Sequence, residues 1–448
     1  MKNILLIIIL VINFDSLKSQ PLKLTIDESI DLAIENNENL KNSYLEEKIS
    51  KALSKEYLSI GLPQINFDGG VKYNHEVQKS LIDISRFMPG VPEGTEQEVQ
   101  FGQTYDGRMD LTLDQMIFNG SYFVGLSAAK ELVNLSEKLT VRNIIDINES
   151  VQKAYYTVLN TKKRIALVDI NLSRLNTLLE QTKKLYDNGF VEKLDLNRIM
   201  VSFNNLKSEK IKASRLYQLS KEVFNFQIGV PIGTEIELID ELSEDLIYSF
   251  IYSLEDFDYS QRIEYSILQT DKNLKFYDLK NNRSQYLPQI YANYNYGYNT
   301  SSSNYNLFFD SDRWKSFGTL GFKIIVPIFD GFLKRSKINQ SKYKIEQVEN
   351  QMLFLERSIN LQVNQAISSY ENTKESIIVS KQNLELAKDV YLATERKFKE
   401  GVGSNLELID SNNSLKTAQN QYYNSLYESV IASIEIKKTL GTLLNKQI

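Results

Sequence analysis

Residues 359–410 read INLQVNQAISSYENTKESIIVSKQNLELAKDVYLATERKFKEGVGSNLELID and close the segment that decides the fold. From Phe332 to Glu400, about 69 residues contain neither glycine nor proline, the two residues that most disfavour a helix. At 1.5 Å per residue, this segment predicts a single helix about 100 Å long. Gly401 and Gly403 follow directly and predict its end.

A heptad pattern runs along this helix, with steps that alternate between four and three residues. Its members are Ile359, Val363, Ala366, Tyr370, Thr373, Ile377, Ser380, Leu384, Ala387, Tyr391, Thr394 and Phe398. The same pattern runs from Ile147 to Tyr186, 212 positions earlier, which indicates a duplicated structural constraint. A weaker second row indicates two neighbours per helix, as in a closed ring, whereas an antiparallel coiled-coil rod would provide one. This second row comprises Val379, Leu386, Val390 and Ala393.

Four segments alternate apolar and polar residues with the period of two that predicts β-strands. They cover about 64–74, 108–118, 289–299 and 317–327. In the first of them Ile65 and Phe67 share one face, while Asn66 and Asp68 share the other. A length of about 11 residues matches a tilted membrane-spanning strand. Periodicity alone does not separate a soluble sandwich from a membrane barrel.

The second half of the chain repeats the first. The turn sequence LPQI occurs at 62–65 and again at 287–290. The sequence IFNG at 117–120 is matched by IFDG at 328–331, directly before the second long helix. An internal duplication with this spacing indicates two equivalent structural repeats.

The predicted organisation has four parts. They are a secretory signal peptide at 1–19, a first repeat at 20–228, an acidic connector at 229–260 and a second repeat at 261–448. Each repeat is predicted to contain a first helix, two strands, a long helix and a shorter helix. The helices are expected at 24–59, 121–188 and 192–227 in the first repeat, and at 332–400 and 404–440 in the second.

Two of these parts depend on composition. The signal peptide is predicted from Lys2 and the apolar run 4–12, which is too short to span a bilayer. The connector lies within residues 222–261, which contain ten acidic residues and no lysine or arginine. Its interspersed isoleucines and leucines predict a packed segment rather than a disordered one.

Composition also excludes several classes of function. The net charge of −5 gives no indication of nucleic-acid binding. The chain has no cysteine, and His75 is its single histidine, so neither a metal site nor a cofactor is predicted. His75 is expected to be exposed at a strand end. The serine and aspartate residues come without a plausible catalytic base, and an enzyme is therefore not predicted.

The motifs of this chain, taken in order, resemble those of a known protein family. Leu24-Thr25-x-Asp27-Glu28 opens the mature chain, and each LPQI turn leads into a strand. Each IFN/DG sequence opens a long helix, and each long helix ends in an aromatic-x-x-Gly turn, at 186–189 and 398–401. Over essentially all of its mature length the chain resembles the TolC-type outer-membrane efflux proteins, also called outer membrane factors.

The resemblance implies a mixed α and β membrane protein that assembles as a homotrimer. Each protomer would contribute four transmembrane strands to a twelve-stranded β-barrel in the lipid of the outer membrane. Its long helical hairpins would form a periplasmic α-barrel, with the acidic connector in a belt around the middle. The implied partners are a periplasmic adaptor protein and an inner-membrane pump.

The resemblance also assigns roles to residues near the two long-helix ends. The turns would dock the adaptor protein through Gly189, Phe190, Val191, Gly401 and Val402.

Glu407 and Asp410 match the family's entrance acids. Their i, i+3 spacing places both carboxylates on one helical face, and three copies would form rings of negative charge that favour cations. The alternative is a solvated acidic face that complements the dipole of a helix start. Gly403 stands where relatives can carry a basic clasp residue, so Asp195 is expected to lack a direct basic partner.

The resemblance therefore implies a passive outer-membrane exit duct of a tripartite efflux or type I secretion system. The alternative is a structural coiled-coil or adhesin-like surface protein without transport activity. A coiled-coil rod explains the heptads, but it does not explain a signal peptide together with four amphipathic strands.

Overall fold

The computed structural model describes residues 21–248 and 257–444. The predicted signal peptide at 1–19 and part of the acidic connector lie outside these residues. The described helices are α1 (Ile26–Asn36), α2 (Glu38–Ser59), α3 (Gly120–Asp187), α4 (Lys193–Gln227), α5 (Asp245–Tyr248), α6 (Ile263–Ser284), α7 (Tyr305–Phe308), α8 (Leu333–Lys399) and α9 (Asn405–Thr439). The described strands are β1 (Leu22–Leu24), β2 (Gln64–Tyr73), β3 (Lys79–Asp83), β4 (Glu96–Gln100), β5 (Tyr105–Asn119), β6 (Ile236–Leu238), β7 (Gln289–Ser302) and β8 (Lys315–Ile325).

The chain divides into two compact units. The first, here called the helical unit, contains the described residues of Met1–Leu45, Glu137–Ile267 and Met352–Ile448. The second, here called the sheet unit, contains Glu46–Ser136 and Leu268–Gln351. Both sequence repeats contribute to each unit. In the sheet unit, β5 of the first repeat pairs with β7 of the second. The predicted repeat boundaries are therefore not boundaries of compact units.

The sheet unit is built on an antiparallel sheet with the strand order β2-β5-β7-β8. Its register aligns Ile65, Leu113, Tyr294 and Leu320 in one row across the four strands. Because alternate residues point to opposite faces, the predicted apolar face of each strand falls on the same side of the sheet. β5 and β7 are longer than predicted, at 15 and 14 residues.

The IFN/DG sequences cap the long helices, but they do so differently in the two repeats. In the first repeat Asn119 is the last residue of β5, and its Oδ1 accepts from the backbone nitrogens of Ser121 and Tyr122 at 3.0 and 3.3 Å. Strand β5 therefore passes directly into α3. In the second repeat seven residues separate β8 from α8, and Asp330 Oδ2 accepts from Lys334 N at 3.1 Å. Gly331 and Phe332, with φ of 62° and 66°, turn the chain there.

The helical unit is held together by the predicted heptad rows. Every predicted row position on α8, from Ile359 to Phe398, is buried or half-buried. On α3 the row is likewise buried or half-buried except at Tyr186, which is 37% exposed. Buried residues of α3, α4, α8 and α9 form a common apolar cluster, of which Leu175, Ile199 and Leu408 are members. In the described part of the chain no helix combines the length and the apolar character needed to cross a membrane.

The first predicted helix, at 24–59, differs from the structure in two respects. The Thr25–Glu28 capping box is present, with Thr25 N donating to Glu28 Oε2 at 2.8 Å. However, the helix is interrupted at Asn37, and residues before Thr25 form β1 instead. β1 pairs in parallel with β6 of the acidic connector, a contact between segments more than 200 residues apart that local pattern does not reveal.

The described part of the acidic connector is packed. Ile236, Leu238 and Ile247 are buried in the core of the helical unit, while Ile239 is exposed. The hydroxyl of Tyr370 on α8 helps to fix this segment by donating to the backbone oxygen of Ile247 at 3.0 Å.

The loop between the first two predicted strands contains a hairpin that the sequence did not reveal. β3 and β4 pair antiparallel, with Lys79 opposite Gln100 and Asp83 opposite Glu96. Both strands have only five residues, and these carry charged and polar side chains that obscure a two-residue period. His75 is exposed beyond the end of β2, as expected.

Candidate functional site: the long-helix turns and the acidic helix start

The two long helices end in the same backbone motif. After α3, Gly189 N donates to Tyr186 O at 2.9 Å and Phe190 N donates to Leu185 O at 2.9 Å. After α8, Gly401 N donates to Phe398 O at 3.1 Å and Val402 N donates to Lys397 O at 3.0 Å. These are Schellman motifs, in which a glycine with positive φ ends the helix. Gly189 and Gly401 have φ of 78° and 75°.

The turns present apolar side chains to solvent. Phe190 is 78% exposed and Val402 is 79% exposed, while Val191 is half-buried. Neither Gly189 nor Gly401 has a described atom within 4 Å of where a Cβ would lie. Two exposed apolar residues on rigid turns at repeat-related positions form a surface suited to contact with another protein.

Glu407 and Asp410 lie in the first two turns of α9, and both are exposed. Ser404 caps this helix, and its Oγ accepts from Glu407 N at 3.1 Å. The acids therefore sit where the helix dipole favours negative charge. No ion pair of either carboxylate is found among the residues that the structure describes.

The corresponding positions of the first repeat carry a different charge. Asp195 corresponds to Glu407 and Arg198 to Asp410, each 212 positions apart. Arg198 Nη1 lies 3.8 Å from Asp195 Oδ1 within α4. The expectation that Asp195 lacks a basic partner was therefore wrong, because the partner comes from the next turn of its own helix. The first repeat presents an ion pair where the second presents two acids.

Gly403 is closely packed against the end of α8. A Cβ at this position would lie 2.8 Å from Phe398 N and 3.0 Å from the Lys397 carbonyl carbon. Gly403 N also donates to Lys397 O at 3.0 Å. A side chain here would require the turn to shift.

A contact that the sequence did not predict joins the starts of α4 and α9. Asn405 Nδ2 donates to the backbone oxygen of Asp195 at 3.1 Å, and Asn405 is buried. Farther along the same helices, Lys416 Nζ lies 2.6 Å from Glu209 Oε2. Both contacts place the acidic helix start against α4. In the sequence only the pair Ser404-Asn405 marks the first of them, and this pair does not reveal the partner.

The connector is fixed to α8 and α9 by Glu244. Tyr422 OH donates to Glu244 Oε1 at 2.6 Å, and Lys381 Nζ donates to Oε2 at 3.1 Å. The Tyr422 hydrogen bond holds the pKa of Glu244 below its ordinary value. It outweighs burial, which acts in the opposite direction, and Lys381 lowers the pKa further.

A cavity of about 180 Å³ lies among α3, α8 and α9 in the helical unit, lined in part by Arg174, Tyr391 and Asn412. Its volume is below the several hundred Å³ of ordinary ligand sites. Within the described residues, no group of three or more acidic or histidine side chains could hold a metal ion.

The sheet unit exposes a broad apolar face. Its exposed members on the four strands include Ile65, Phe67, Val71, Met109, Leu111, Tyr294, Tyr296, Leu320, Phe322 and Ile324. A contiguous exposed apolar face across four strands indicates a surface that contacts another protein or a membrane.

Aromatic clusters flank both ends of this face. At the end of the sheet followed by the long loops, the rings of Tyr73 and Tyr105 lie 5.2 Å apart. At the end followed by helices, the rings of Tyr57 and Tyr122 stack at 5.8 Å. An apolar band between two aromatic belts is typical of strands in a membrane.

The opposite face of the sheet is polar and internally bonded. Asp110 is 5% exposed and accepts from Arg108 Nε at 2.7 Å and from Asn295 Nδ2 at 2.6 Å. Thr112 Oγ1 adds a third donor at 3.3 Å. The sheet thus separates an apolar face from a hydrogen-bonded polar one.

The sequence matches the family model described as outer membrane efflux protein, over residues 29–223 and 269–442. It is 19% identical over 424 residues to the alkaline protease secretion protein AprF of Pseudomonas aeruginosa, covering 92% of this chain and 83% of that protein. It is 20% identical over 359 residues to the outer membrane protein TolC of Vibrio cholerae, covering 75% and 77%. The fold matches the crystal structure of the outer membrane protein VceC from Vibrio cholerae with a TM-score of 0.72 at 15% identity, covering 93% of this chain and 96% of that one.

Proposed function

The chain belongs to the outer membrane efflux protein family, and from that premise we propose that it is the passive exit duct of a tripartite efflux or type I secretion system. It is an outer-membrane protein with a long periplasmic helical extension, and its fold is that of outer-membrane channels. A duct requires a lined passage rather than a catalytic centre. The proposal therefore includes no enzymatic activity and no cofactor.

The observation that carries the proposal is the exposed apolar face of the four-stranded sheet between its two aromatic clusters. Outer-membrane lipid is the partner that suits such a band. The polar face, with Asp110 and its donors, would then face water inside a closed barrel. Four strands are too few to close a barrel alone, so the sheet has to be completed by further copies.

The second heptad row supports assembly as a homotrimer. Val379, Leu386 and Val390 are 55%, 63% and 55% exposed in one chain, although they repeat at heptad spacing. A neighbouring copy would cover this row, as in a closed ring of helices. In this assembly the sheets form a twelve-stranded barrel and the long helices a periplasmic tunnel. The two sequence repeats supply equivalent parts of the tunnel wall, and the acidic connector at 229–260 lies around the tunnel. The signal peptide at 1–19 is removed on export.

We place the periplasmic entrance at the long-helix turns. Gly189, Phe190, Val191, Gly401 and Val402 would dock the periplasmic adaptor protein, since the turns expose Phe190 and Val402 on rigid backbone. Glu407 and Asp410 would line the aperture, where three copies form rings of negative charge. An inner-membrane pump would supply energy and select the substrate.

The experiment combines membrane extraction with electrophysiology. The full-length protein, isolated from outer membranes, should migrate as a trimer that dissociates on heating. It should also give discrete ion conductance in planar bilayers. A water-soluble monomer without conductance would contradict the proposal and favour the alternative of a structural coiled-coil or adhesin-like surface protein.

A further inference from the structure

We propose that Arg108 forms an anion-binding site on the polar face of the sheet, and that this site binds carboxylate or phosphate groups of solutes. The inference rests on the proposed duct, because it requires that this face line water. It assigns to the strands themselves a part in selecting ions. Arg108 would act there in addition to the acids at the helix start.

Arg108 is held in place. Its Nε donates to Asp110 Oδ1 at 2.7 Å, and its guanidinium carbon lies 5.1 Å from the centre of the Phe317 ring. A charge-assisted hydrogen bond and a cation–π contact together restrict a side chain that would otherwise be flexible. Phe317 is an aromatic residue on the polar face, directly opposite Gly297 in the register. Its position there is explained by its contact with Arg108.

The Asp110 carboxylate is buried, whereas the Arg108 guanidinium that pairs with it is exposed. Asp110 is 5% exposed, and Asn295 and Thr112 also donate to it. The Arg108 side chain is 62% exposed. Solutes on the polar face therefore meet the guanidinium rather than the carboxylate. Among the residues that the structure describes, no hydrogen bond uses the two terminal nitrogens of Arg108, which is the pair of donors that binds a carboxylate or phosphate.

The residues that share a row with Arg108 across the sheet add positive charge. The register places Gly70, Arg108, Asn299 and Lys315 in one row across the sheet. This row, the cationic row, has two positive charges and no negative one. Lys315 is exposed. Three copies of the row in a closed barrel would create a local positive potential that attracts anions.

Charge changes sign farther along the strands. Toward the helix end of the sheet, Asp68 lies directly opposite Asp110, and Asp114 lies opposite Gln64. Asp68 and Asp114 are exposed.

On the same face, Lys72 lies opposite Asp106 on the loop side of the cationic row, and Lys323 lies near the helices, where it offsets one of the two exposed acids. The loop half of the face is thus net positive, and the helix half is not. This polarity predicts that anions approaching from the loop side bind more strongly than anions approaching from the other side.

The test uses purified full-length trimers in planar bilayers with inorganic tripolyphosphate as the blocking anion. The background should carry Glu407→Ala and Asp410→Ala, so that the entrance acids do not dominate selectivity. Addition from the loop side should block the current, and Arg108→Gln should raise the half-blocking concentration about tenfold. Lys79→Gln, on the β3–β4 hairpin, is a control of equal charge change outside the sheet face and should leave the block unchanged.

A second pair of variants separates charge from structure. Arg108→Lys keeps the charge but loses the paired donors, so it should give an intermediate half-blocking concentration. Phe317→Leu keeps Arg108 but removes the ring and should weaken the block by a smaller factor than Arg108→Gln. If Arg108→Gln conducts normally and is blocked as strongly as the unaltered protein, the proposed anion-binding site is contradicted, while the proposed duct function is not affected. Absence of conductance from the unaltered protein would instead overturn the duct.

Discussion

Asn405 Nδ2 donates a hydrogen bond to the backbone oxygen of Asp195 across 3.1 Å, and this contact ties the start of α9 to the start of α4. It joins the two sequence repeats at the helix starts where their charges differ. Asp195 is paired with Arg198, while neither Glu407 nor Asp410 has an ion pair within the described part of the chain. The acidic helix start is therefore held by an amide and not by a basic clasp.

We predict that Asn405→Ala loosens the first turn of α9. Loss of one buried hydrogen bond should cost about 1 kcal/mol and speed local amide exchange about fivefold. Hydrogen exchange of residues 404–410 in the purified trimer would measure this. Asn413→Ala, an exposed asparagine on the same helix, is the matched control. Equal exchange in the two variants would show that the amide contact does not hold the helix start.

We predict that Glu407→Ala with Asp410→Ala weakens blockade of the channel by multivalent cations. Removing two exposed carboxylates from each of three copies should raise the half-blocking concentration about tenfold or more. Single-channel recording with a trivalent cation on the helix side checks this. Asp195→Ala is the control, since Arg198 already compensates that charge. A double variant that is blocked like the unaltered protein would refute the aperture role of these acids.

We predict that a side chain at position 403 destabilises the turn rather than latching it. In Gly403→Ala the new Cβ would meet Phe398 N at 2.8 Å, and relief of this overlap should cost about 1 to 3 kcal/mol. Faster proteolysis at residues 397–404 would report the change. Gly70→Ala has no described atom within 4 Å of its Cβ and serves as the control.

A basic residue at position 403 should displace the turn in the same way. Gly403→Arg should raise the open probability of the channel, because the turn has to move before the guanidinium can reach an acid. A lower open probability would mean that the turn accommodates the side chain and that a clasp can be restored.

We predict that docking of the acidic connector depends on the charge of Glu244. Its pKa is lowered in the folded protein, chiefly by the Tyr422 hydrogen bond, so its stabilising effect is complete above the ordinary carboxyl pKa. That effect is lost as the pH falls through the lowered folded-state value. Amide protection of residues 236–247, corrected for intrinsic exchange rates, should therefore be high at pH 7 and decrease below about pH 4.5.

Two variants test the assignment to this residue. Glu244→Gln should show weaker protection at pH 7 and little further change on acidification. Glu241→Gln, an exposed residue of the same connector, should behave like the unaltered protein. A pH response that survives in Glu244→Gln would assign the titration to another group.

The long helices could be predicted closely because their signals are local. Gly189 and Gly401 end α3 and α8 with positive φ, as the sequence indicated, and Gly229 and Gly441 end α4 and α9 in the same way. The heptad rows are buried because a helix of this length has to cover an apolar stripe somewhere. The strands were predictable for a related reason, since each has to separate an apolar from a polar face.

The missed features depend on partners that are distant in the sequence. β1 and β6 have three residues each, and they become strands only because they pair with each other. Tyr155 illustrates the same limit: its hydroxyl contacts Leu24 O at 3.1 Å and Asp240 Oδ2 at 2.7 Å, and no periodicity announces either contact. At the candidate site the charged residues could be identified from the sequence, but the Asn405–Asp195 contact and the packing of Gly403 depend on how distant segments fold together.

The different routes from strand to helix have a mechanical consequence. In the first repeat β5 continues into α3 without an intervening residue, so α3 cannot rotate about its axis without disturbing the hydrogen bonds of the sheet. In the second repeat seven residues, including Gly331 and Phe332 with positive φ, separate β8 from α8. Torsion in α8 can be absorbed there by backbone dihedral changes. Of two helices alike in length and in heptad pattern, one is therefore joined directly to its strand and the other through a linker that can change conformation.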